Sequence, residues 1–226
     1  MPLVVHDSYL INLATCEPTI RKQSIAAFRG EIQRCIAIGA EFLVAHPGNY
    51  KGQTIEEGLL AVVEGIAEST RDLSSHRLTI LLENTVGAGA QLGSRFEELE
   101  VMRRLAQERT EIRLGFCLDT CHCFASGNYN VATQTGLRDT IKAAETVLGL
   151  DNLHVIHSND SKGTAGSKLD RHQNIGDGHI GLEGFARIVN HPKLRKKAFI
   201  LETPGDEPGQ HEKDLATLKS LCKRLA

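Results

Sequence analysis

The 226-residue chain lacks an excess of either charge, a long apolar run and any low-complexity tract. Its net charge of −2 excludes a polybasic nucleic-acid arm and leaves room for a local basic groove. No apolar run approaches the ~18 residues that span a bilayer, so no membrane partner is expected. The opening MPLVVHDSYL has no basic n-region and no cleavable signal pattern. Six irregularly spaced cysteines then predict reduced thiols in a cytoplasmic protein rather than a disulfide framework. Pro/Ser linkers and charge runs are missing too, which predicts a single domain over residues 1–226. With 41% hydrophobic residues, a chain of this length can bury a substantial core.

What is present is an alternation of short apolar runs with longer helix-like stretches. The runs are LVVH (3–6), FLVAH (42–46), TILLE (79–83), LGFCLD (114–119), LHVIH (153–157) and AFILE (198–202). Helices are expected at roughly 18–38, 54–74, 94–108, 132–148, 182–190 and 209–224. Thr54 followed by Glu57 fits a capping box, and Gly39 and Gly149 stand where helices should stop. Fully apolar strands alternating with helices predict an α/β protein with a parallel sheet.

Each run ends in a side chain able to bind a metal: His6, His46, Glu83, Asp119, His157 and Glu202. Their separations of 40, 37, 36, 38 and 45 residues correspond to one βα unit each. In a (β/α)8 barrel the C-terminal strand ends converge on the face where active sites sit. Polar residues after strands also arise as helix caps, but caps favour Ser, Thr, Asn and Asp over His and Glu. A His/Asp/Glu set without thiolates suits Zn2+ or Mn2+, and six donors exceed what one catalytic zinc uses, so a multinuclear cluster is expected.

Further donors lie in loops. His122 stands three residues past Asp119, within CLDTCHCF (117–124), a stretch that alone also admits a zinc–thiolate knuckle, a redox pair or a catalytic thiol. Asp170 and His172, spaced i, i+2 in a long Gly-rich loop, share one face if that segment is extended. They could then clasp one ion together with His122.

The blocks HDSYLINLA (6–14), HPGNYKG (46–52), LLENTVGAGAQLG (81–93), DTCHCFASG (119–127), HSNDSKGTAGSKLDRHQNIGDGHIG (157–181) and LETP (201–204) closely resemble the endonuclease IV family of apurinic/apyrimidinic (AP) endonucleases. The resemblance implies a TIM (β/α)8-type barrel carrying three zinc ions, with Mn2+ possible at one position. His6 and His46 would hold one ion, Glu83 would bridge it to a second completed by Asp119, His157 and Glu202, and His122, Asp170 and His172 would hold the third. It puts catalysis on Glu83, Asp119 and His122. The implied partner is double-stranded DNA with abasic or 3′-blocked lesions, with no obligate protein partner. The implied reaction is hydrolysis of the backbone 5′ to an abasic site, leaving a 3′-hydroxyl and a 5′-deoxyribose phosphate. Divalent metals that depress the pKa of bound water from 15.7 to about 7 make a side-chain nucleophile unnecessary. Tyr9 and Leu10 match the family's loop that fills the duplex gap, although an aromatic–aliphatic pair there also reads as a packed lid. Lys51, Lys162, Lys168 and Arg171 are candidate phosphate contacts, partly balanced by Asp160, Asp170 and Asp177.

The family barrel has about two βα units before the His6 strand, so six of eight units are expected here. Such a barrel is incomplete at its N-terminus, with unpaired edges and an exposed interior. A start placed too late is preferred over a fragment or a shortened protein that dimerises. A metal-dependent sugar isomerase or epimerase, and a non-catalytic remnant that binds zinc or DNA, are the rival functions. Cys117 shares Asp119's face and is expected to pack inside as a small hydrophobe, with Cys121 and Cys123 on a turn beneath His122.

Overall fold

Aliphatic runs without polar alternation form parallel strands here, because both faces of such strands must be covered. The computed structural model describes residues 2–223 of the chain. The chain divides into two compact units, Met1–Cys117 and Leu118–Ala226.

In the first unit β1 (Val4–His6), β2 (Phe42–Ala45), β3 (Thr79–Glu83) and β4 (Arg113–Asp119) lie side by side in chain order, all parallel. Residues of β4 beyond Cys117 belong to the second unit. Every residue of β3 is buried, and Ile80 sits between Leu43 and Leu114 in the ladder. The crossovers are α1 (Pro18–Ile38), α2 (Ile55–Thr70) and α3 (Phe96–Gln107), with α2 packed between the other two. Pro18 opens α1 at a position that needs no N–H donor, and Gly39 closes it in the left-handed region at φ 70°. The N-cap of α1 is Glu17, whose carboxylate accepts the Thr19 and Ile20 N–H groups. Those hydrogen bonds hold its pKa below the usual carboxylate value. The capping box of Thr54 and Glu57 forms at the start of α2.

The second unit holds α4 (Thr120–Ser126), α5 (Gln134–Val147), β5 (Leu153–His157), the two-residue strands β6 (Asp160–Ser161) and β7 (His172–Gln173), α6 (Gly181–Val189), β8 (Ala198–Ile200) and α7 (Gln210–Ser220). β5 and β8 are parallel, and β6 and β7 form a small antiparallel hairpin. Gly149 lies one residue beyond the Leu148 C-cap of α5 and donates its N–H back to Ala144 O at 3.1 Å. Among the described residues no helix is long and apolar enough to cross a membrane.

Three local readings differ from the sequence pattern. The segment after Asp119 is a seven-residue helix, α4, rather than a turn, with Asp119 as its N-cap and Gly127 as its left-handed C-cap. His46 and Glu202 stand one and two residues past their strands, not at strand ends. The loop after β5 contains the β6–β7 hairpin, and that hairpin gives His172 an extended backbone.

Asp160 organises this loop. Its side chain is fully buried and accepts backbone N–H groups from Ser161 (2.8 Å), Gly176 (3.0 Å), Gly178 (3.1 Å), Ile180 (2.8 Å) and Gly181 (3.2 Å). A Cβ on Gly178 would press against that carboxylate, so glycine permits the approach. Truncating Asp160 strands several buried donors, each costly to leave unmade. Asp160→Ala should therefore lose about 3–5 kcal/mol of stability in urea denaturation, and a loss under about 1 kcal/mol would contradict this account.

Candidate metal centre

Because β1, β2 and β3 run parallel and in register, their C-terminal ends deliver His6, His46 and Glu83 to one place. His6 Nε2 and His46 Nε2 lie 3.1 and 3.2 Å from the same oxygen, Glu83 Oε2. The rings stand edge to face with centroids 5.2 Å apart. Glu83 is fully buried, whereas the two imidazoles keep about 30% exposure. His6 Nδ1 lies 2.8 Å from the Asp7 carbonyl. A carbonyl only accepts, so Nδ1 carries the proton and a neutral His6 presents a lone pair at Nε2. A lone pair aimed at a carboxylate oxygen is favourable only with a proton or a cation between them. Asp7 itself is buried, and burial pushes its carboxyl up to about 7 against the pull of His6 and His46.

The loop after β2 is fixed by side-chain hydrogen bonds. Asn12 Oδ1 accepts the Asn49 and Ala14 N–H groups at 2.9 and 3.1 Å, and its Nδ2 donates to Asn49 O at 3.1 Å. Gly48, at φ 107°, passes so close to Asn12 that a Cβ would collide with its side chain. The HPGN stretch thus follows His46 along one defined course.

In the second unit two donor sets form. Asp119, His157 and Glu202 bring ligand atoms within 4.8 Å of one another, and so do His122, Asp170 and His172. His157 Nδ1 lies 3.0 Å from Glu202 Oε2. His122 Nε2 lies 3.2 Å from Asp170 Oδ1. Its backbone N–H donates to Asp119 Oδ1 at 2.7 Å, which is the N-cap bond of α4. Helix α4 therefore projects His122 into the cluster.

His172 supplies the test of whether these residues fit a metal. Its Nδ1 lies 3.0 Å from the Glu202 carbonyl, so the neutral ring carries its proton on Nδ1 and presents Nε2 as a lone pair. That Nε2 is buried and has no hydrogen-bond partner. It faces Asp170 Oδ1 at 3.6 Å and Asp119 Oδ2 at 3.8 Å, both beyond hydrogen-bond reach. A buried imidazole lone pair set among carboxylate oxygens at these separations fits a bound divalent cation. Imidazoles whose other nitrogen is tied to a backbone carbonyl are the usual state of metal-binding histidines.

Outside the clusters, Tyr9 is 87% and Leu10 72% exposed, so the packed-lid arrangement is not the one observed. Lys51, Lys162, Lys168 and Arg171 are exposed. Arg171 Nη1 donates to Asp170 O at 2.8 Å, which keeps it beside the His122 set, and Lys168 sits at φ 55° with its N–H on Ala125 O. Sequence reasoning passed over Thr120 and Asn159, which the structure buries in the middle of the second unit's donors. The available signal was the run Ser158–Ser161, four polar residues after a strand and all completely buried.

Comparison with known proteins gives the same class. Residues 1–221 match the family model described as xylose isomerase-like TIM barrel. A probable endonuclease 4 of Solibacter usitatus is 56% identical over 98% of this chain and 76% of its own length. The crystal structure of endonuclease IV from Thermus thermophilus superposes with a TM-score of 0.81 at 33% identity, covering 97% of this chain and 75% of that one. A D-tagatose 3-epimerase-like protein, at 20% identity and a TM-score of 0.71 over 98% of this chain and 77% of its own, shares the fold alone. The fold class is thus the TIM-type α/β barrel. On the identity to these relatives, the chain belongs to the endonuclease IV family.

Cys121 brings its Sγ within 4.8 Å of the Asp119 and His172 ligand atoms, so adjacency alone does not separate thiol from imidazole and carboxylate. Cys117, Cys121 and Cys123 are buried as small apolar groups. Cys121 lies near Asp119 and His172, but its Sγ donates to Arg171 O at 3.7 Å, and burial with the Asp119 charge pushes its thiol up to about 12. Burial likewise raises Cys35 to about 11. Only Cys16 and Cys222 are exposed. Titration with a thiol reagent near neutral pH should label those two in the native protein and all six after unfolding. Rapid native labelling of Cys121 or Cys123 would overturn this assignment.

Proposed function

We propose that this chain is a zinc-dependent AP endonuclease that hydrolyses the DNA phosphodiester 5′ to abasic sites, leaving a 3′-hydroxyl and a 5′-deoxyribose phosphate. Membership of the endonuclease IV family makes it a DNA-cleaving enzyme. The observation that carries the finer reading is the donor arrangement, above all the buried, unpartnered Nε2 of His172. His6, His46 and Glu83 would hold one ion. Asp119, His157 and Glu202 would serve a second, and His122, Asp170 and His172 a third. Bound zinc would supply activated water at neutral pH and offset charge developing on the phosphate.

The residues around the clusters fit that task. The backbone carbonyls on Nδ1 of His6 and His172 orient both rings and leave Nε2 as the nitrogen that would ligate. Arg171 and Lys168 place positive charge on the loop that also bears Asp170 and His172, where a DNA phosphate would need it. Tyr9 and Leu10 form an exposed apolar tip on a turn closed by Ile11 N–H to Ser8 O at 2.9 Å. Such side chains wedge into a duplex most easily where a base is missing, since unstacking and kinking cost least there.

Incubation with duplex DNA bearing one tetrahydrofuran abasic analogue should give incision immediately 5′ to the lesion. Prolonged chelation should abolish it, and His122→Ala should lower the rate by at least ~100-fold. Equal cleavage of undamaged duplex, or epimerisation of a ketose with one metal ion per chain, would overturn the reading. Tyr9→Ala with Leu10→Ala should weaken binding of lesion DNA by ~10-fold or more, in keeping with the worth of one stacking contact. The far-UV spectrum of that variant should stay unchanged.

A further inference from the structure

Asn159 is completely buried two residues beyond β5 and touches donors of the second unit without belonging to them. Its Oδ1 accepts the Glu202 backbone N–H at 2.8 Å. A backbone N–H can only donate, so this contact settles which end of the amide is oxygen. Nδ2 therefore points the other way, 2.5 Å from Asp119 Oδ2 and 3.3 Å from Glu202 Oε2. One NH2 group donates to two carboxylates that would otherwise repel each other.

The backbone of Asn159 is anchored as firmly as its side chain. Its N–H donates to Thr120 Oγ1 at 3.0 Å, and its carbonyl accepts from the same hydroxyl at 2.8 Å. Thr120 also reaches the His157 carbonyl at 3.2 Å. The amide is thus tied to the residue following Asp119 and to the segment following His157. Glu202 lies two residues past the end of β8, where the strand ladder no longer sets its course. The bonds from Asn159 take over that task.

We propose that Asn159 is a positioning residue that gathers Asp119 and Glu202 into a common donor set for a divalent cation, an inference that rests on the metal reading of the site. An aliphatic residue of similar size would remove the one donor that Asp119 Oδ2 and Glu202 Oε2 share and take the Oδ1 acceptor from the Glu202 N–H. An aspartate would keep the acceptor for Glu202 N–H and replace the shared donor with a third repelling oxygen.

The test is zinc affinity of the folded protein, measured by competition with a chromophoric chelator, together with the visible spectrum of the Co2+-substituted protein. Asn159→Ala should bind zinc ~10- to 100-fold more weakly than wild type, while the metal-free variant keeps its far-UV spectrum. A purely structural role would lower stability and leave the affinity of the folded protein unchanged. Should Asn159→Ala not fold, Asn159→Asp preserves volume and the Glu202 N–H bond, and its Co2+ spectrum should differ from wild type. Wild-type affinity in Asn159→Ala together with a wild-type spectrum in Asn159→Asp would overturn the role of Asn159 alone, provided wild type binds zinc and incises abasic DNA. A wild-type chain that takes up no zinc would instead overturn the metal reading and this inference with it.

Discussion

The constraint on which the rest depends is the meeting of imidazole lone pairs with carboxylate oxygens in buried places. Glu83 and Asp119 are both fully buried, and burying a carboxylate is costly unless hydrogen bonds or a cation compensate it. Two imidazole nitrogens address one oxygen of Glu83, and one imidazole nitrogen, His172 Nε2, addresses nothing within hydrogen-bond reach. An apolar replacement would cost less for folding alone. Such an arrangement fits a divalent cation that would complete it.

Much of the architecture that builds these places is visible in the sequence. β3 and β5 fall on the residues that the apolar runs delimit, and α1 spans Pro18–Ile38 as its flanking proline and glycine require. Those elements are long or uniformly apolar, so pattern and structure have one common cause, burial on a parallel sheet. The donors were legible for a related reason, since a charged or imidazole side chain directly after an apolar strand is itself an anomaly. His46 and Glu202 stand just beyond their strands because ladder pairing ends before the apolar run does.

What escaped the sequence is short. Helix α4 has seven residues, fewer than needed for a helical period to show, and its Thr, Cys and His have modest helix propensity. It forms because Asp119 caps it and because all seven of its residues are buried, both tertiary facts. Strands β6 and β7 have two residues each and carry no alternation to read. They are held by the loop that Asp160 gathers, through a fan of backbone donors that no spacing rule announces. Asn159 is hidden similarly, since an asparagine after a strand ordinarily signals a turn and here sits in the core.

Asp119 shows why fold and site cannot be assigned to different residues. Its Oδ1 caps α4 through His122 N–H, and its Oδ2 receives Asn159 Nδ2. The cap bond fixes where α4 begins, and so where His122 projects. The amide bond fixes the direction of the remaining lone pairs, toward the side where His172 Nε2 waits at 3.8 Å. The carboxylate is therefore oriented by the protein itself, and an ion bound there would meet donors whose rotational freedom has already been lost in folding. A replacement at residue 119 perturbs the helix, the amide and the donor set together. Loss of activity in such a variant cannot be read as the loss of one ligand.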